Sequence, residues 1–69
     1  MRSDQILYEK YVSNIKSYLN NENYDDYLLN LVERALGVED QSDFRANFVK
    51  KIDAGYDWRS DRNMMYAIQ

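Results

Sequence analysis

The sequence predicts an all-α fold: a compact bundle of four short helices, at about residues 4–20, 24–36, 43–54 and 59–68, or three helices with a docked C-terminal fourth. Three observations carry this expectation. The chain has no Pro, its only two Gly stand where helices would end, and its apolar residues recur every three and four positions.

The first helix is expected to open at Ser3 or Asp4, either of which can cap a first turn, and to run to about Asn20. Tyr8, Val12, Ile15 and Leu19 fall on one face, flanked by Leu7, Tyr11 and Tyr18. The polar cluster from Asn20 to Asn23 breaks this pattern, and Asn23 is a candidate cap for the second helix. That helix has the cleanest periodicity in the chain, with Tyr24, Tyr27, Leu28, Leu31, Val32 and Ala35 as its expected core face. It should stop at Gly37 in a left-handed conformation, with Val38 folding back as the accompanying apolar contact.

The third helix is expected to start near Ser42, present Phe44, Phe48, Val49 and Ile52, and end at Gly55. Asp40 and Asp43 sit at its start, where carboxylates favour the positive end of the helix dipole. A fourth helix follows Asp57 or Ser60. Nothing in residues 1–69 suggests a repeat or a second domain, so a single all-α domain is expected.

A chain of 69 residues buries only roughly 60% of the surface its unfolded form exposes, so its core is marginal. Disulfides and His or Cys metal sites are excluded, because the chain has neither residue. The polar start "MRSDQILYEK" does not resemble a signal peptide, and the longest apolar run, Met64 to Ile68, is far short of the roughly 20 residues of a membrane span. A cytoplasmic protein without membrane contact is the expectation.

The absence of His and Cys also removes the commonest general base and the thiolate nucleophile. Asp25 and Asp26 are adjacent, so on a helix they diverge by about 100° and cannot share a substrate atom. Asp53, Asp57 and Asp61 recur every fourth residue, unlike the alternating ligands of a calcium loop. The expectation is therefore no enzyme, no cofactor and no metal site.

Charge is segregated. Residues 22–43 carry seven acidic side chains against Arg34 alone, whereas residues 44–69 carry five basic against three acidic, within a net charge of −3. Seven Tyr are more than so small a core can bury with every hydroxyl satisfied, and half-exposed Tyr is typical of interfaces. An acidic, Tyr-rich face is expected to bind, and thereby inhibit or modulate, a larger protein with a basic surface, mimicking nucleic-acid phosphate there. By size and charge alone, this is the type of small protein that phages make to block nucleic-acid-handling machinery. The nominated contacts are Tyr11, Tyr18, Asp25, Asp26 and Glu33, with Trp58 as an anchor.

Two alternatives compete. Helix three, the turn at Gly55 and a helix led by Arg59, Arg62 and Asn63 have the outline of a helix-turn-helix, in which those side chains contact nucleic acid. Asp57 and Asp61, interleaved with the arginines, disfavour it. The other alternative is a structural homo-oligomer, such as a homodimer through the fourth helix, since "MMYAI" is apolar in every direction and leaves one face wet in a monomer.

Overall fold

The computed structural model describes residues 3–69 and shows an all-α fold of four helices: α1 (Ser3–Leu19), α2 (Asp26–Leu36), α3 (Gln41–Asp53) and α4 (Arg62–Ile68), with a 3₁₀ turn at Trp58–Ser60. The long α1 is central and packs against each of the other three, while α2 also packs on α4. One core results, built from Tyr8, Tyr11 and Ile15 of α1, Leu29 and Val32 of α2, Phe48 of α3, Trp58, and Met64 and Ile68 of α4. Burying an aliphatic side chain of this kind contributes roughly 1.5–3 kcal/mol.

The same closure ends α1, α2 and α3. At Gly37, which is left-handed with φ of 76°, the Val38 N–H donates to the Glu33 carbonyl at 3.0 Å and the Gly37 N–H to the Arg34 carbonyl at 3.1 Å. This is the paired-bond cap expected there, and its two bonds occupy carbonyls that the last turn leaves without helical partners. Gly55 repeats it, with Tyr56 donating to Lys51 at 2.9 Å. At the end of α1 the left-handed residue is Asn21, with φ of 59°, and Glu22 donates to the Ser17 carbonyl at 2.8 Å. Asn tolerates this conformation because its short polar side chain can bond locally.

The starts of α2, α3, the 3₁₀ turn and α4 are set by aspartates. Among the described residues α1 runs from Ser3, the opening expected, with Asp4 in its first turn. Asp25, not Asn23, caps α2: its carboxylate accepts from the Leu28 N–H at 3.2 Å, and its own N–H donates to Asn14 Oδ1 at 2.7 Å. Tyr24 therefore lies outside the helix and meets Tyr18 edge-on. Asp40 caps α3 through the Asp43 N–H at 3.0 Å. The expected fourth helix is two pieces. Asp57 caps the 3₁₀ turn, and Asp61 caps α4 through the N–H groups of Asn63 and Met64.

Two helices are rotated relative to their apolar stripes. On α1 the buried line is Tyr8, Tyr11 and Ile15, with Val12 half-buried and Leu19 exposed. On α2 the inward residues are Leu29, Val32, Glu33 and Leu36, while Tyr27, Leu31 and Ala35 of the expected core face point to solvent. The same rotation carries Glu33 inside the bundle beside Leu29 and Val32.

Candidate functional site

Glu33 and Arg45 are 1% and 3% exposed and form a two-pronged ion pair, with Arg45 Nε and Nη2 each donating to a carboxylate oxygen of Glu33 at 2.8 Å. The Tyr11 hydroxyl donates to Glu33 Oε2 at 3.1 Å and Gln41 Nε2 to Oε1 at 3.0 Å. Arg45 also lies over the Tyr18 ring, 4.5 Å from its centroid, and the Tyr18 hydroxyl bonds with Ser42 Oγ. The bonds to Glu33 hold the guanidinium protonated beyond its usual range, against the opposing effect of burial. Burial and the adjacent carboxylate push the Tyr11 phenol up. Buried charge is tolerated only when paired and hydrogen-bonded in this way. Among the described residues, no buried side-chain polar atom lacks a partner.

This network redistributes the nominated contacts. Tyr11 and Glu33 are interior residues of a structural ion-pair cluster and present nothing to a partner. Tyr18 is half-buried and occupied with Arg45 and Ser42. Trp58 is largely buried, stacked on Tyr8 with ring centroids 4.9 Å apart. Asp25 and Asp26 are exposed at the N-terminus of α2, where Asp25 caps the helix and Asp26 accepts from Asn30 Nδ2 at 2.9 Å. A Glu on a helix is usually solvated, and only the distant Arg45 makes Glu33 a core residue.

The surface that does present itself is the outer face of α2. Tyr27 is 76% exposed and Leu31, one turn on, is 49% exposed, with Tyr24 nearby in the preceding turn. Glu22, Asp25 and Asp26 lie at the N-terminal end of this face and Arg34 at its far end, all exposed. Leu31 was legible in the sequence only as a core residue, so its membership of a surface emerged with the helix rotation.

A second surface is an open groove of about 610 Å³ between α1 and the segment joining α3 to the 3₁₀ turn. Tyr8, Val12, Ile52 and Trp58 form its apolar floor, and Tyr56 closes one side. The Tyr56 hydroxyl donates to Asp61 Oδ2 at 2.8 Å, which holds the Asp61 carboxyl below its usual range. Burial, then that same bond, push the Tyr56 phenol up.

The residues considered for nucleic acid do not share one helix. Arg59 belongs to the 3₁₀ turn, lies over the Trp58 ring at 5.5 Å and donates to Gln5 Oε1. Arg62 and Asn63 begin the seven-residue α4, both exposed. On α4, Met64 and Ile68 face the core, whereas Met65 and Tyr66 are wet. Among the described residues no three carboxylates converge as metal ligands, and no helix is long and apolar enough to cross a membrane. No family model, curated protein or solved structure matches the chain.

Proposed function

We propose that this chain is a protein-binding module that occupies a basic surface on a larger protein through the outer face of α2, without catalysis or a cofactor. The observation that carries the reading is the exposed pair Tyr27 and Leu31 on a helix whose opposite face supplies the core. Tyr27 in the first turn of α2 and Leu31 one turn on leave adjacent large apolar groups open to solvent, the kind of patch that marks an interaction surface. Tyr in that setting supplies contact area with few rotatable bonds. Glu22, Asp25 and Asp26 beside it supply the negative charge that steers a basic partner and would repel phosphate. Competition with nucleic acid for that partner follows from the same charge.

The test is affinity capture by the native chain and by three variants, Asp26→Lys, Tyr27→Ser and Leu31→Ser, none of which touches the core. A genuine partner is retained by the native chain, released as salt rises and lost from all three variants. Retention by all three contradicts the reading. Self-association through α4 is a second reading, favoured by Tyr66 at 81% exposure beside Met65. A concentration-dependent sedimentation coefficient that Tyr66→Ser abolishes is its signature.

A further inference from the structure

We infer that the groove between α1 and the α3–3₁₀ segment is a second binding site, which takes a short cationic, apolar peptide segment of the partner. The inference rests on the proposed function for the existence of a basic partner, but it stands on a different surface. Along α1 the groove runs from Tyr8 to Ser17, about 14 Å at 1.5 Å per residue. That length matches some nine helical residues or four extended ones. The groove, of about 610 Å³, is open to solvent, so it can seat one face of a peptide segment without enclosing it.

The lining sets the chemistry of the occupant. The floor of Tyr8, Val12, Ile52 and Trp58 offers aromatic edges and aliphatic groups to a bulky apolar side chain. Three carboxylates, Glu9, Glu22 and Asp57, stand around it against the single amine of Lys16. Glu9 and Glu22 are exposed, and Asp57 is committed through one oxygen to the Arg59 N–H and through the other to the Ser60 hydroxyl. A Leu- or Phe-bearing segment with flanking Lys or Arg satisfies both features, whereas an acidic segment meets like charge. Glu22 also borders the acidic end of the α2 face, so one basic partner can span both surfaces.

Trp58, the only Trp, lies in the groove floor and reports its occupancy directly. The full chain is titrated with a twelve-residue amphipathic peptide of leucine and lysine, and with the same peptide carrying glutamate for lysine, while Trp58 emission is followed. The lysine peptide is expected to give a saturable change, at least tenfold tighter than the glutamate peptide. Ser13→Arg, at an exposed position lining the groove, places bulk and positive charge in the peptide's path and is expected to weaken binding at least tenfold with unchanged helicity. Glu22→Lys is expected to weaken it in the same direction. Tyr27→Ser is expected to leave peptide uptake unchanged, so failure of the α2 reading and failure of the groove reading are separable. Equal binding of the two peptides, undiminished binding to Ser13→Arg, or no emission change at millimolar peptide overturns the inference.

Discussion

Replacing Glu33 by Gln keeps the shape of the side chain and removes its charge, leaving Arg45 buried without a counter-ion. Arg45 is 3% exposed and spends two donors on Glu33 at 2.8 Å, so the charge has no route to water without opening the bundle. Breaking a buried pair in this way costs about 3–5 kcal/mol. At roughly 0.05–0.15 kcal/mol per residue, a 69-residue domain has only about 3–10 kcal/mol in total. Glu33→Gln therefore removes a large share of the stability or all of it. The assay is urea unfolding followed by far-ultraviolet circular dichroism and Trp58 emission. With a slope of about 1 kcal/mol per molar urea for so small a domain, the midpoint falls by about 3 M or more. The triple variant Tyr11→Phe, Glu33→Leu, Arg45→Met removes the charges and the Tyr11 donor together, and is expected to return to within about 1 kcal/mol of the native chain or above it. A midpoint shift below about 1 M for Glu33→Gln, or a triple variant less stable than the single one, refutes the assignment of Glu33 and Arg45 as a dominant interior contact.

Gly37→Ala places a Cβ in open space but on a left-handed backbone, so its cost of about 1 kcal/mol is conformational and Gly37→Asn is expected to cost less, as urea midpoints will show. Asp61→Ala removes the α4 cap and the acceptor of the Tyr56 hydroxyl together, and is expected to cost about 1–2 kcal/mol in the same assay. Because the folded chain holds the Asp61 carboxyl below its ordinary value, the stabilisation it gives is full above about pH 4 and lost as pH falls through the lowered value, so Asp61→Asn should flatten the acid limb of a stability–pH profile. At the alkaline end, Tyr11 and Tyr56 keep their protons when folded, so stability is full below about pH 10 and declines above it, and their phenolate absorbance is expected to appear together with the loss of helicity.

Helix positions were legible because they depend on local chemistry: glycines at 37 and 55 that must turn left-handed, and apolar spacing that only a helix can gather on one side. The start of α2 moved from Asn23 to Asp25, two residues on, because the Asp25 carboxylate reaches the Leu28 N–H. Rotation was not legible on α2. Tyr27, Leu31 and Ala35 form a valid apolar stripe, yet the helix turns Leu29, Val32 and Leu36 inward, an orientation that also brings Glu33 to Arg45, twelve residues away in sequence. A long-range ion pair leaves no periodic trace. The same pair holds Glu33 and the Tyr11 hydroxyl inside the bundle, whereas Asp25 and Asp26, placed by a local cap, lie exposed at the start of α2. The break at Asp61 was hidden for a related reason, since Asp57 and Ser60 already offered plausible starts and the Tyr56 hydroxyl that favours Asp61 comes from outside the helix.

The most direct test of the α2 face as a binding surface is quantitative capture by the native chain alongside Tyr27→Ser. Selective enrichment of a basic protein that Tyr27→Ser loses at least tenfold, with unchanged helicity and urea midpoint, is the expected result. Identical capture by the two chains, or capture insensitive to salt, contradicts it.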